Sequence, residues 1–184
     1  MNILGLIGRS RQFEERLEQS RERLFRLAYS WCRNSAVADD LVQETLSKAL
    51  AKSSQLRKLD ALHVWLVRIL ANCWRDQFRG YRETEDVTGL GDDQFMHEVT
   101  PEYDYLQSEI VKRVRTAVGE LPVGQRQVVT LVDLEEFSYA EVASILNIPV
   151  GTVMSRLSRA RLALKGSLLD HQPVAAVAHI ARVK

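Results

Sequence analysis

The sequence predicts an all-α fold: two small helical domains joined by a flexible acidic linker, with a helix-turn-helix in the C-terminal domain. Apolar residues recur at helical spacing through most of the 184 residues. The pattern stops over residues 83–104, where the composition becomes acidic. Beyond residue 137, a helix-start signal, a turn signal and a second helical pattern follow in close succession. These observations divide the chain into residues 1–82, 83–104, 105–170 and a tail, 171–184.

The N-terminal domain is predicted to hold three helices, at about residues 13–33, 36–52 and 61–82, with a polar loop over 53–60. The third helix is the most regular, and its core face carries Leu62, Trp65, Leu66, Ile69, Leu70 and Cys73. Its opposite stripe carries Arg68, Asn72, Arg75, Arg79 and Arg82. Arginines near Trp74 and Phe78 suit a phosphate backbone beside unstacked bases. Alternatively, the two aromatic residues complete the core.

Residues 83–104 form the predicted linker. They contain Gly89 and Gly91, no Lys or Arg, and the acidic residues Glu83, Glu85, Asp86, Asp92, Asp93, Glu98, Glu102 and Asp104. Such a composition cannot bury enough apolar surface to order itself, which predicts a flexible segment. For the Ala- and Val-rich tail after Pro173, a loose helix and disorder fit equally well.

The C-terminal domain is predicted to contain helices at 105–119 and 121–134, followed by the helix-turn-helix. Ser138 and Glu141 have the spacing of a capping box at the start of a helix. Asn147 can adopt the left-handed conformation that ends it, and Pro149 prevents its continuation. A second helix then begins near Val150, with a core face of Val153, Leu157, Ala160 and Leu164.

The outer side of this second helix is polar and cationic. It carries Thr152, Ser155, Arg156 and Arg159, and no acidic residue occurs between positions 150 and 169. A solvated helix usually alternates charges, so the pattern favours DNA binding over an ordinary hairpin with solvated arginines. Because the net charge of the chain is only +1, any basic surface must be local.

Several classes of protein are disfavoured by the sequence. No stretch is apolar enough to span a membrane and no signal peptide is evident, so we expect a cytoplasmic protein without membrane insertion. Cys32 and Cys73 lie in apolar helical contexts outside any metal-binding pattern and are predicted to be buried, reduced thiols. No histidine pairs with a plausible nucleophile and no Gly-rich phosphate loop occurs. We therefore expect no catalytic residue, no metal and no cofactor.

Four segments together resemble a known family. DDLVQETLSKAL, WLVRILANCWRD, ELPVGQRQVVTL and VGTVMSRLSRAR agree in content, order and spacing with group IV, or extracytoplasmic-function (ECF), sigma factors of bacterial RNA polymerase. The resemblance spans about residues 13–169. It implies a subunit that binds core RNA polymerase through the β′ clamp helices and β, reads the −35 and −10 promoter elements and assists DNA melting. It also implies an anti-sigma factor as partner and no enzymatic activity.

The resemblance assigns roles to individual residues. Those matching the polymerase-binding positions are Asp40, Gln43, Glu44 and Lys48. Those matching −10 DNA-binding positions are Arg68, Asn72, Arg75 and Arg79. Those matching −35 DNA-binding positions are Thr152, Ser155, Arg156, Ser158 and Arg159. Met154 departs from the family pattern, in which arginine is common at this position, and this suggests an altered −35 preference.

Two other functions compete with this hypothesis. The chain could be an autonomous helix-turn-helix transcriptional repressor whose N-terminal half senses a ligand. It could also be a nucleic-acid enzyme, but it lacks a clustered acidic or His/Cys metal site. The acidic linker and the DDLVQET segment favour the sigma factor.

Overall fold

The computed structural model describes residues 3–56, 58–84 and 109–169, and within them regular secondary structure is entirely helical. The α-helices are α1 Ile3–Cys32, α2 Ser35–Ala51, α3 Leu62–Thr84, α4 Glu109–Gly119, α5 Val123–Val129, α6 Tyr139–Leu146 and α7 Val150–Leu169. Most of the predicted linker and the whole predicted tail lie outside the described residues.

The first three helices pack around one apolar centre that includes Leu24, Leu41 and Leu66. The chain reverses between α1 and α2 through Arg33, whose φ of 56° is left-handed. Asn34 then caps α2, because its side-chain oxygen accepts a hydrogen bond from the backbone N–H of Val37 at 3.1 Å. The three predicted helices are confirmed, with bounds shifted by a few residues at most ends.

One boundary differs more widely, because α1 begins at Ile3 rather than near residue 13. Gly5 and Gly8 fall in this first part, and glycine has a low intrinsic helix propensity. A prediction from local sequence preference therefore misses this first part of α1. At the other end of the domain, α3 continues to Thr84, two residues beyond its predicted end at residue 82.

The helix predicted over residues 121–134 has two parts. α5 ends at Val129, and a wider π-helical turn, Thr130–Leu134, follows it without a break. The buried hydroxyl of Thr130 donates to the carbonyl of Arg126 at 2.9 Å. A hydroxyl that bonds back into the preceding turn is a known cause of helix distortion.

The helix-turn-helix is confirmed in detail. Ser138 and Glu141 form a complete capping box at the start of α6. Asn147 ends α6 with φ 54° and ψ 50°, the left-handed conformation expected from the sequence. α7 begins at Val150, and its buried residues Val153, Leu157 and Ala160 face the core, with Leu164 partly buried against it.

The two halves of the chain share one continuous apolar core, a contact the sequence did not predict. A buried junction joins α1 to α5 and the π-turn. Trp31 donates from Nε1 to Thr130 Oγ1 at 2.9 Å. Arg126 donates to the carbonyl oxygens of Trp31 at 2.7 Å, Gly119 at 2.7 Å and Leu121 at 2.8 Å. One buried guanidinium thus satisfies carbonyl groups of both halves.

A second contact between the halves centres on the carboxylate of Glu135. It accepts from Arg23 Nε at 2.7 Å and lies 2.8 Å from His63 Nε2, while the His63 ring stacks on Phe137. Burial alone would raise the pKa of Glu135, but the bonds from His63 and Arg23 outweigh it and lower the pKa. The stabilisation from these bonds is present above the ordinary carboxyl pKa of about 4.3 and is lost as the pH falls through the lowered value.

Both cysteines are free thiols buried in the N-terminal half, as predicted. Burial raises the pKa of Cys32 and of Cys73, which keeps both side chains neutral at physiological pH. Among the described residues, no helix has the length and apolarity required to cross a bilayer, and no group of His, Cys, Asp or Glu side chains is arranged to hold a metal ion.

Candidate functional site

The residues predicted to bind polymerase form a polar ridge along α2. Asp40, Gln43 and Glu44 are exposed, while Lys48 is half-buried. Glu44 and Lys48 form an i,i+4 ion pair at 2.7 Å, and this hydrogen bond raises the pKa of Lys48. The opposite side of α2 is buried in the core, so the ridge stands on a rigid support. The structure brings all four residues together on one surface.

Three of the four residues predicted to bind the −10 element form a stripe on α3. Arg68 and Asn72 are exposed and Arg75 is half-buried. Arg75 donates from Nη1 to Asn72 Oδ1 at 3.1 Å. Because the two residues lie one helical turn apart, this hydrogen bond orients the amide of Asn72. Arg79 lies further along the same helix, but its side chain is outside the part that the structure describes.

The α3 stripe also contacts the first helix of the helix-turn-helix. Arg68 Nη2 donates to Ser144 Oγ at 2.8 Å, and Arg75 Nη2 donates to the backbone oxygen of Leu146 at 3.1 Å. The partners in α6 were not among the predicted site residues. Nothing in the local sequence of α6 signals them, because one is a small serine and the other contributes only its backbone.

The aromatic residues at the end of α3 do not all join this stripe. Trp74 is only 5% exposed and belongs to the core, which supports the alternative interpretation given above. Trp65 is partly buried and also packs against the core. The side chain of Phe78 is outside the described part. Of the described side chains, the candidate nucleic-acid surface on α3 is therefore cationic and amide-bearing rather than aromatic.

The residues predicted to read the −35 element line the outer surface of α7. Ser155, Ser158 and Arg159 are exposed, and Thr152 and Arg156 are half-buried. Arg159 Nε donates to the backbone oxygen of Ser155 at 3.2 Å, which lays its side chain along the helix. The five side chains form a continuous surface over the first three turns.

The absence of a side chain at Gly124 leaves room for the guanidinium of Arg156. A Cβ added to Gly124 would come within 2.8 Å of Nη1 of Arg156, so the guanidinium lies directly over the start of α5. Arg161, by contrast, is paired with Asp133 through its Nε at 3.2 Å. Within the first three turns of α7, the cationic side chains are Arg156 and Arg159.

Family models for two sigma-70 regions match the chain. Sigma-70 region 2 matches residues 17–84, which contain the α2 ridge and the α3 stripe, and Sigma-70 region 4 matches residues 112–164, which contain the helix-turn-helix.

Individual relatives agree with the family models. The chain is 37% identical over 142 residues to the ECF RNA polymerase sigma factor EcfG of Rhodopseudomonas palustris, covering 77% of this chain and 76% of that protein. It is 32% identical over 169 residues to the ECF RNA polymerase sigma-E factor of Haemophilus influenzae, covering 80% and 88%. Among solved structures, the sigma factor RpoE in complex with the anti-sigma factor NepR from Bartonella quintana is similar, with a TM-score of 0.69 and 30% identity. That match covers 88% of this chain and 99% of RpoE.

Proposed function

The chain belongs to the ECF sigma factors of bacterial RNA polymerase, and from this we propose that the α2 ridge docks on core polymerase, the α3 stripe holds the −10 strand and α7 reads the −35 element. Sigma factors are transcription initiation factors rather than classical enzymes. The observation that carries the proposal is that the described side chains of each set lie together on the outer face of one helix whose inner face is core. The α2 ridge and the outer surface of α7 therefore offer prearranged surfaces for a macromolecule, whereas Arg68 and Arg75 of the α3 stripe also donate to α6.

Other partners and the organisation of the chain are part of the proposal. Core polymerase would be contacted through the β′ clamp helices and β, and the acidic segment 83–104 would link the two promoter-binding domains. The relative solved with an anti-sigma factor supports a partner of that kind for this chain. The chain itself would act in the cytoplasm, where the polymerase transcribes. An autonomous repressor is not favoured, because sigma-70 region 2 spans the half of the chain that would have to sense a ligand.

Docking on the polymerase is tested by removing the two exposed side chains at the centre of the α2 ridge. We expect Gln43→Ala with Glu44→Ala to weaken binding to core polymerase about tenfold, since two hydrogen bonds of roughly 0.7 kcal/mol each would be lost. Helical content should stay unchanged, because both side chains face away from the core. Affinity is measured by titrating labelled protein with core polymerase, and helicity by circular dichroism.

The matched control is the same pair of residue types on α1. Glu18 and Gln19 are exposed and distant in sequence from the ridge. Glu18→Ala with Gln19→Ala should bind polymerase as the unmodified chain does. If both double variants bind core polymerase with the same affinity as the unmodified chain, Gln43 and Glu44 do not belong to the docking surface.

Promoter reading by α7 is tested at its two arginines. We expect Arg156→Ala and Arg159→Ala each to lower affinity of the holoenzyme for a −35 duplex about tenfold, within the 1–3 kcal/mol of a good contact. A base contact would show as a loss confined to one base pair. A phosphate contact would weaken all sequences alike and reduce the salt dependence.

The readout is fluorescence anisotropy on duplexes with single base-pair changes, at two salt concentrations. Lys165→Ala serves as control, because it removes a charge from the same helix beyond the proposed reading surface. Unaltered isotherms for both arginine variants would show that α7 is not the reading helix.

A further inference from the structure

Met154 is an exposed apolar side chain on the outer side of α7, where Val150, one turn before it, is also exposed. Met154 is 54% exposed, although methionine is usually found in cores. The exposed residues one turn away on the same face are Val150, Gly151 and Ser158. A Cβ at Gly151 would meet no atom within 4 Å, so the space beside Met154 is open. Its long side chain therefore projects beyond its immediate neighbours.

The chemistry of methionine restricts what it can recognise in DNA. Its thioether has no hydrogen-bond donor and is only a weak acceptor, so it cannot bond a guanine edge or pair with a phosphate as an arginine can. The major groove displays one apolar group among the base edges, the C5-methyl group of thymine. A flexible, polarisable thioether adapts readily to a small apolar surface.

The position of Met154 along α7 also favours contact with a base edge over contact with the DNA backbone at the rim of the groove. In helix-turn-helix proteins, the N-terminal part of the second helix contacts base edges. Met154 lies in the second turn of α7, beside the hydroxyls of Ser155 and Ser158. Leu162 is even more exposed, at 72%, but lies eight residues further on, about 12 Å along the axis.

On the basis of the function proposed for α7, we propose that Met154 contacts the C5-methyl group of a thymine in the −35 element. The contact makes the chain select thymine over cytosine at one base pair, through apolar burial rather than a hydrogen bond. Met154 is then a specificity-determining residue, and its neighbours Ser155 and Arg159 supply the polar contacts of the same surface.

The test removes only the methyl group. Holoenzyme containing the full chain first selects its −35 sequence from a randomised duplex library, and each thymine on either strand is then replaced singly by deoxyuridine. Deoxyuridine keeps every hydrogen-bonding group of thymine and lacks the methyl. We expect one replacement to weaken binding about fourfold, the effect of one buried methyl group. Met154→Ala should bind both duplexes equally, whereas Met154→Leu and the control Leu162→Ala should retain the difference.

Two outcomes overturn the proposal: unmodified chain that binds every deoxyuridine duplex as it binds thymine, or Met154→Ala that keeps the full difference. Arg159→Ala, measured on the same duplexes, separates these outcomes from failure of the proposed function. If it weakens binding while deoxyuridine has no effect, α7 reads DNA and only the assignment of Met154 is wrong. If no −35 sequence is selected and Arg159→Ala binds normally, both are wrong.

Discussion

Replacing Arg126 with alanine is expected to reduce the free energy of unfolding by about 3 kcal/mol or more. The guanidinium donates to the carbonyls of Trp31, Gly119 and Leu121, all at 2.7–2.8 Å in a buried junction. Hydrogen bonds from a charged group contribute roughly 1.5–3 kcal/mol each, and buried acceptors left without a donor add a desolvation penalty. The change should also loosen the contact between the two halves, since one of these carbonyls belongs to α1.

Urea unfolding followed by circular dichroism measures this effect. Arg126→Lys should recover only part of the stability, because an ammonium group cannot reproduce the planar fork that reaches several carbonyls. Arg115→Ala, the same truncation on the exposed surface of α4, should change stability by no more than about 0.5 kcal/mol. A loss below about 1 kcal/mol for Arg126→Ala would contradict the role given to this side chain.

Replacing Asn72 with alanine is expected to impair open-complex formation about tenfold or more, with little effect on polymerase binding or on affinity for a −35 duplex. The amide is exposed at the centre of the α3 stripe and is oriented by Arg75. An amide both donates and accepts, so it suits the edge of an unpaired base. Capturing that base costs a few kcal/mol of unstacking, which contacts of this kind must offset.

Permanganate footprinting of holoenzyme on duplex and pre-melted templates distinguishes capture from other roles. A pre-melted −10 bubble should rescue the variant only in part, because the unpaired base would still lack its partner. Gln77→Ala removes an exposed amide from the same helix away from this stripe and should open the duplex normally. Normal opening by Asn72→Ala itself would exclude this residue from the −10 site.

The sequence predicted those parts of the fold that depend on local chemistry. The capping box of Ser138 with Glu141 and the left-handed Asn147 define α6 through groups within a few residues of each other, and both were identified correctly. The inward face of α7 followed from its spacing alone. Local preference failed where its signals were weak, as in the first turns of α1, where Gly5 and Gly8 occur.

Contacts between distant segments could not be predicted in this way. Trp31 and Thr130 look like ordinary core residues in their own helices, and their hydrogen bond joins positions 99 residues apart. Arg126 resembles a solvent-facing arginine in the sequence, yet it is buried because carbonyls of α1 and of the α4–α5 turn converge on it. Periodicity reports which face of a helix is buried, but not which other element covers it.

The hydrogen bonds that Arg68 and Arg75 make to α6 would compete with binding of the −10 strand to the same two side chains. If the α3 stripe holds the −10 strand as proposed, a guanidinium that donates to Ser144 or to the Leu146 carbonyl must leave that partner before it contacts the strand, so binding favours molecules in which α3 and α6 have separated. The apparent dissociation constant for that strand then equals the intrinsic constant divided by the fraction of separated molecules. Every substitution that tightens the junction at Arg126 or Glu135 would weaken promoter binding without touching DNA, and every one that loosens it would strengthen it.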